Sequence, residues 1–427
     1  MRHIVMALAL LGTWPLTAAA DPITDFGVFG NKGVSFPGAV NVSGGLIGSN
    51  KDVLVGTFSH LNGATGGGSF LNGPLGGVTI NGPVTFNNNV TIHFSSSVSG
   101  PINAGGTVLL GGNGSTYGPV TAKGSVTGEF PVTINGNVLT GGNFTIGPFG
   151  KVNGNVTANG TVTLNGSQVT GVVTANAMTT VTPLSFSPVA VPGADKFSAG
   201  GQDLVLSTFQ NIALAPGSYG KLSLGGTNNV QLRSGDYFFT SIESRTPFNF
   251  GNSLSLDLSN GPINIFVTGN IDLGTGTGGN IFVNGLPAFM GLGQPNPAVN
   301  QALAGDVFLE TLGNFTGNGV FFGTIFTPNG DINPTGLTVI GSLLAGGFVA
   351  DIDPRFADVQ TLTVYSVPAN RFISQQGPIV PEPSTFALGC LIALGLSCVH
   401  LRRGERSLQS PERERRVSLA RRSRSGL

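Results

Sequence analysis

Between residues 76 and 166 the apolar and polar positions keep a six-residue period, and a slower period of eighteen runs inside it. Glycine takes one slot of the hexad: Gly76, Gly82, Gly100, Gly106, Gly112, Gly118, Gly124, Gly136, Gly142, Gly154, Gly160 and Gly166. Two residues later comes an apolar side chain, as at Val84, Val90, Ile102, Val108, Val120 and Val126. A second follows two positions on, as at Phe86, Ile92, Leu110 and Ile134. That alternation predicts short strands with both apolar side chains on one face and the residue between them on the other. A fixed period marks a repeat architecture. The glycine slot is lost at Phe94, Phe130 and Pro148, which share one series of step eighteen, and at Asn88. The apolar slot is lost at Ser96, Gly114 and Gly150, again in one series. Faults confined to one line predict a chain that winds once per eighteen residues around three sides. The expected fold over 76–178 is therefore a three-sided parallel β-solenoid of about five coils. Its core is a set of columns such as Val84, Ile102, Val120, Val138 and Val156. The corner glycines are expected to take positive φ, and the Asn residues before them tolerate the same region.

Outside that block the pattern loosens. Residues 21–75 are apolar and Gly-rich but off the hexad phase, with short strands suggested at Val40, Val42, Val53 and Val55. A terminal repeat must face water and is usually atypical, so this stretch reads as an N-terminal cap. Residues 179–196 hold Pro183, Pro188 and Pro192 and read as a linker. From 197 to 370 strands return at uneven spacing, as at Leu254–Leu258 and Ile263–Val267, divided by turns such as Pro216-Gly217 and Asn260-Gly261-Pro262. This half is expected to be a second, less regular β-helix; a β-sandwich stays open, since strands at such spacing suit both. The phrases Leu214 to Tyr219 and Gly323 to Asn329 resemble an adhesin-like β-helix domain of bacterial surface proteins.

The two ends change the picture. The chain has 427 residues, of which 68 are Gly, 9% are charged and two are Cys. Few charges with many β-branched residues suit a packed all-β body and exclude a disordered one. Arg2 and His3, an apolar run from Ile4 to Leu11, and Ala18-Ala19-Ala20 before Asp21 predict a secretory signal over 1–20, cut between Ala20 and Asp21. Near the other end Phe386 to Leu401 is apolar, reaching about 24 Å as a helix against a hydrocarbon core of about 30 Å. Arg402, Arg403 and Arg406 follow as a membrane stop, and the basic tail 402–427 is expected on the cytoplasmic side.

Before this predicted transmembrane helix, at the end of a linker over 371–385, stand Val380, Pro381, Glu382, Pro383 and Ser384. Motif, apolar segment and Arg cluster, in that order, resemble the PEP-CTERM sorting signal of exported bacterial proteins. The resemblance implies an exosortase-type membrane enzyme as partner and an inner-membrane intermediate. It also implies delivery to the surface or beyond, in the company of exopolysaccharide and biofilm. One departure is that the chain continues from Ser407 to Leu427. Between Asp21 and His400 ten Lys or Arg face seventeen Asp or Glu, a net of about minus seven, so nothing there points to nucleic acid. Cys390 and Cys398 both fall in the apolar segment, which leaves the body to be held by packing and ladders without disulfides.

Candidate chemistry is sparse. His60 and His93 are the only histidines of the body, and no zinc spacing, nucleophile elbow or phosphate loop accompanies them. The densest polar group is Asp351, Asp353, Arg355 and Asp358. Asp351 and Asp353 are weak candidates for calcium or for a lyase, although a capping loop over the last strand explains them more simply. No cofactor is expected. Hexapeptide acyltransferases place Gly or Ala after the aliphatic residue, where this chain has Thr, as in Val78-Thr79. The stretch Gly150 to Ala158 is similar to bactofilins, polymer-forming β-helices, and that likeness makes self-association compatible with such coils. Thr91, Thr127, Thr145 and Thr163 are expected on one side, interrupted by Leu109, an arrangement that orders water. The expected function is an exported, non-enzymatic surface or matrix protein contacting exopolysaccharide or its own copies. The alternatives are a polysaccharide lyase-like β-helix enzyme and an ice-binding protein.

Overall fold

The computed structural model describes residues 22–244, 252–273, 280–290, 293–350 and 362–375. Residues 1–373 form one compact unit and 374–427 a second. The hexad block winds as its period predicts. We number its faces in chain order: Val84–Phe86 lies on face I, Val90–Ile92 on face II and Ser97–Val98 on face III. Parallel pairing sets Val84 beside Ile102, Ile102 beside Val120, Val120 beside Val138 and Val138 beside Val156. All five are buried. Each such side chain contributes roughly 1.5–3 kcal/mol by leaving water. The column explains why the period is strict: one inserted residue would turn a coil's apolar pair outward.

The corner glycines work differently from the expectation. Gly82, Gly100, Gly118 and Gly154 stack between faces III and I, and only a few hexad glycines, such as Gly76, have positive φ. A Cβ on Gly100 would stand 2.4 Å from the Gly82 carbonyl, and one on Gly118 2.3 Å from that of Gly100. Stacked corners approach too closely for any side chain, so close approach is the reason for Gly. Several Asn residues just after the corner slot act as clamps, whereas Asn113 and Asn165, the latter just before Gly166, do take left-handed backbone with φ +64° and +45°. Asn89 Oδ1 accepts from the Thr107 N–H one coil on, Asn143 Oδ1 from Thr161, and Asn155 Oδ1 from Val172, all at 2.8–2.9 Å.

The order of coils is the main surprise. Among the described residues the sheet of face I has fifteen strands, and the first of them in the chain, Phe26–Gly30, lies inside it, between Leu46–Ser49 and Leu343–Ala345. Along the axis the sheet starts at Gly217–Ser218. It passes through Ile263–Val267 and Thr324–Thr327 to Leu343–Ala345, continues at Phe26–Gly30, and ends at Val173–Thr174. Of the predicted cap 21–75, the described residues 22–75 are thus central coils and no cap. The second half is a parallel β-helix continuous with the first and no sandwich. Its face II strands step through Leu204, Leu222, Ile242, Ile271 and Phe315, and the step lengthens from 18 to 44 residues as loops are inserted.

Residues 175–203 carry the chain from one end of the rod back to the other, and the predicted linker inside them is an ordered strap. Asn87 donates to the Phe186 carbonyl and accepts from its N–H, both at 2.9 Å. Asn50 makes the same pair with Val189 at 2.8 Å, and Asn159 bonds Thr179 likewise. Side-chain amides here replace a neighbouring strand. Phe186 and Val189 join Phe29, Phe266, Phe308, Phe326, Leu344 and Phe372 in a second hydrophobic core, which forms on the outside of face I.

The predicted signal (Ala18, Ala20, Asp21), Asp351 and Asp353 lie outside the described residues. So do the sorting motif Val380 to Ser384, the apolar segment 386–401 and Arg402, Arg403 and Arg406. Among the described residues no helix is long and apolar enough to cross a membrane.

Candidate functional site

The outward surface carries what chemistry the body has. On face II, Thr91, Leu109, Thr127, Thr145 and Thr163 stand in register, as the sequence predicts. On face I the row is Thr65, Thr85, Asn103, Thr121, Leu139, Thr157 and Thr174. His60 Nδ1 lies 3.2 Å from Asn41 Oδ1 on face III, and the His93 backbone N–H donates to Asn72 Oδ1 on the adjacent coil. Among the described residues no three His, Cys, Asp or Glu are placed to hold a metal ion.

The corner between faces II and III is unlike the rest. Phe58, Leu75, Phe94, Phe130 and Phe149 all project into solvent along it, with Phe58 64% and Phe149 79% exposed. The residues at this turn adopt left-handed backbone: Phe58 has φ +59°, Gly77 +75°, Ser95 +54°, Asn113 +64° and Phe149 +55°. A Phe in this region costs roughly 1–2 kcal/mol against the ordinary helical basin. The coils are joined through the same turn, since the Gly77 N–H donates to the Phe94 carbonyl and the Asn113 N–H to that of Phe130. Beneath the turn, buried hydroxyls replace the missing apolar side chains. Ser96 Oγ accepts from the Val78 N–H, and Ser115 Oγ accepts from the Ser96 N–H while donating to the Gly112 carbonyl. The rings of Phe130 and Phe149 meet edge to face at 5.7 Å. With coils at about 4.8 Å, Phe94 and Phe130 are roughly 9.6 Å apart, and the row extends for about 24 Å. Phe209, with φ +65°, repeats the arrangement at the same corner of the second half.

The sequence marks Phe94, Phe130 and Pro148 as faults of one line but not as an exposed row. Phe149 falls one residue past the glycine slot and Phe58 lies on the same series but before the periodic block, so the period flags neither. The signal available was the recurrence of Phe near one corner.

A second cluster holds the strap. Glu310, 1% exposed, sits in register between Phe266 and Phe326 on the outside of face I. Its Oε1 accepts from the Asp195 N–H at 2.8 Å, and Arg371 pairs with Asp195 while lying over the Phe266 and Phe308 rings. Burial pushes the Glu310 carboxyl up to about 7; the Asp195 N–H opposes this, and the Asp195 charge adds to it. Inside the wide coils an apolar cavity of about 140 Å³ is lined by Leu222, Leu232, Phe239, Ile265, Ile271 and Val320.

The chain matches no protein-family model and no curated protein. Among solved structures it is similar to an ice-binding protein from an Antarctic bacterium of the Flavobacteriaceae. That likeness is 12% identical, covers 80% of this chain and 96% of the other, and has a TM-score of 0.21. It is also similar to a possible adhesin C-terminal domain from Caldicellulosiruptor kronotskyensis, at 11% identity, 84% and 97% coverage and a TM-score of 0.17. Scores this low leave the solenoid resting on the strand registers described above.

Proposed function

We propose that the chain is an exported, non-enzymatic structural protein of a bacterial surface or extracellular matrix, and that its aromatic corner holds polysaccharide. The observation that carries this reading is the row of exposed Phe residues, two of them kept in strained backbone where neighbouring coils use Gly, Ser or Asn. Exposed apolar rings in a line mark a binding surface. Sugar rings present faces of weakly positive C–H bonds, which stack on the negative face of an aromatic ring. Alternate coils space Phe94 and Phe130 by about the length of two sugar residues in an extended chain. Each contact is weak, and a rod offers many at once. Export and sorting rest on the likeness of Val380–Ser384 and the segment after it to a PEP-CTERM signal, with an exosortase-type enzyme as partner.

The test immobilises the protein and measures retention of matrix polysaccharide. Unchanged polymer should be retained, and joint replacement of Phe58, Phe94, Phe130 and Phe149 by serine should lower retention at least tenfold. Release of unsaturated oligosaccharides, lost on Asp353→Ala, would replace this reading with the lyase. Alanine at Pro381, Glu382 and Pro383 should trap the chain in the inner membrane; normal arrival outside would refute the sorting assignment. The Thr row of face II supports ice binding as a second reading. Thermal hysteresis lost on Thr127→Leu would favour it.

A further inference from the structure

The axial order of the coils has a geometric consequence. The chain winds in one sense from Leu204 to Ala350, continues through Pro22, and stops at Thr174, so the two ends of the rod are consecutive turns of one helix with the middle of the sequence missing between them. The far end presents Val162–Thr163 on face II, Gln168–Val169 on face III and Val173–Thr174 on face I, each paired only with the coil before it among the described residues. The near end presents Leu204–Leu206, Asn211–Leu214 and Gly217–Ser218 on the same three faces, each paired only with the coil after it. Three strands in the same order, all parallel, face outward at both ends.

Edges of this kind are normally blunted by charge, proline or a covering element. From Val152 to Thr182 there is neither a charged residue nor a proline. Val172 and Val173 are exposed, and the core residues Val162, Leu164 and Val169 are only partly covered. The near end carries only Asp203 and Pro216 between Phe197 and Ser218, with Val205 exposed on it. The strap does not lie across the near edge at this point: it passes outside face I, where Gly200 donates to and accepts from Ser218 Oγ.

We infer that the two ends are the two halves of one interface, and that copies of this chain stack head to tail into a rod. Leu204–Leu206 of one copy continues face II above Val162–Thr163 of the next, and Asn211–Leu214 continues face III above Gln168–Val169. The occupant is a second copy because only a coil of the same width, hand and face order extends all three sheets together. The proposal deepens the structural-protein reading. It is measured by mass while glycan contact is measured by retention, so either can fail alone.

Proline at Val173 or at Val205 removes an N–H that the alternation of the ladder directs out of its end. For the full chain in detergent, the mass from light scattering should grow with concentration and exceed that of a dimer. Val173→Pro alone and Val205→Pro alone should each be monomeric, and an equimolar mixture should stop at a heterodimer. Lysine at both Thr163 and Val205, outward neighbours across the junction on face II, gives a second check that leaves the backbone intact. It should move assembly to higher concentration, and Thr163→Lys with Val205→Glu should restore it. The Phe-to-Ser quartet should assemble like the unaltered chain. A monomer at every concentration, rods formed by either proline variant alone, or no difference between the double-lysine and lysine–glutamate chains would overturn the inference.

Discussion

The two halves of the rod solve one problem in different ways. In 76–178 the coils step by 17 to 19 residues, the core is a set of Val and Ile columns, and the outward residues are mostly Thr and Asn. Order there comes from inside. In 204–350 the step between coils reaches 44 residues, yet the sheets stay in parallel register. What the irregular half adds is the aromatic layer outside face I, where Phe266, Phe308 and Phe326 are buried under the strap and Phe372. Nearly equal coils stack on repetition alone, whereas unequal coils need an outer clamp to hold their registers.

The largest effect should come from removing that clamp. Phe326 packs edge to face against Phe372 at 5.1 Å and is 1% exposed. Phe326→Ala should cost about 3–5 kcal/mol. Val120→Ala, in the regular half, loses two methylene equivalents and should cost about 1.6 kcal/mol. Amide hydrogen exchange separates the two beyond their sizes. The first variant should expose the strap amides of Phe186 and Val189 and the second should leave them protected. Equal protection in both would show that the outer layer is decoration.

A smaller effect is specific to pH. Glu310 is the buried charged residue among the described residues, and its carboxyl is raised from 4.5 to about 7. A raised acid binds its proton more tightly in the folded state. Its contribution is therefore complete below about pH 4.5 and lost as pH rises through 7. The whole effect is at most about 3 kcal/mol at pH 8. Unfolding measured from pH 5 to 8 should show stability falling with pH, and Glu310→Gln should flatten that slope. If the slope survives the substitution, the strap cluster is not its origin.

How much of this was legible depends on what sets each feature. The columns through Val84 and Ile102 were readable because a six-residue side fixes both strand and corner. The insertion of Phe26–Gly30 beside Leu343–Ala345 was not, since no local period tells which distant strand closes an edge. The strap was misjudged because its prolines look like a linker, while its partners, Asn50, Asn87 and Asn159, look like ordinary turn residues. At the candidate site Phe94 and Phe130 were visible as faults, but their outward direction follows from backbone dihedrals that composition does not carry. Glu310 was hidden because its neighbours in space lie far off in sequence, Asp195 being 115 residues before it and Arg371 61 after it.

The smallest expected change is also the most diagnostic of function. Phe149 occupies left-handed backbone at a turn where Asn113, two coils earlier, stands with nearly the same φ. Asn accepts that conformation readily. Phe149→Asn should therefore relieve strain and raise stability by at most about 1 kcal/mol, offset in part by the lost ring contact with Phe130. Phe209→Asn tests the same corner in the irregular half, where φ is +65° and the ring is equally exposed. If the rings are there to bind, both variants should melt slightly higher and retain less polysaccharide. A fall in stability of more than about 1 kcal/mol at either site would mean that the ring is held for packing, because strain kept for a ligand is released when the side chain is cut back.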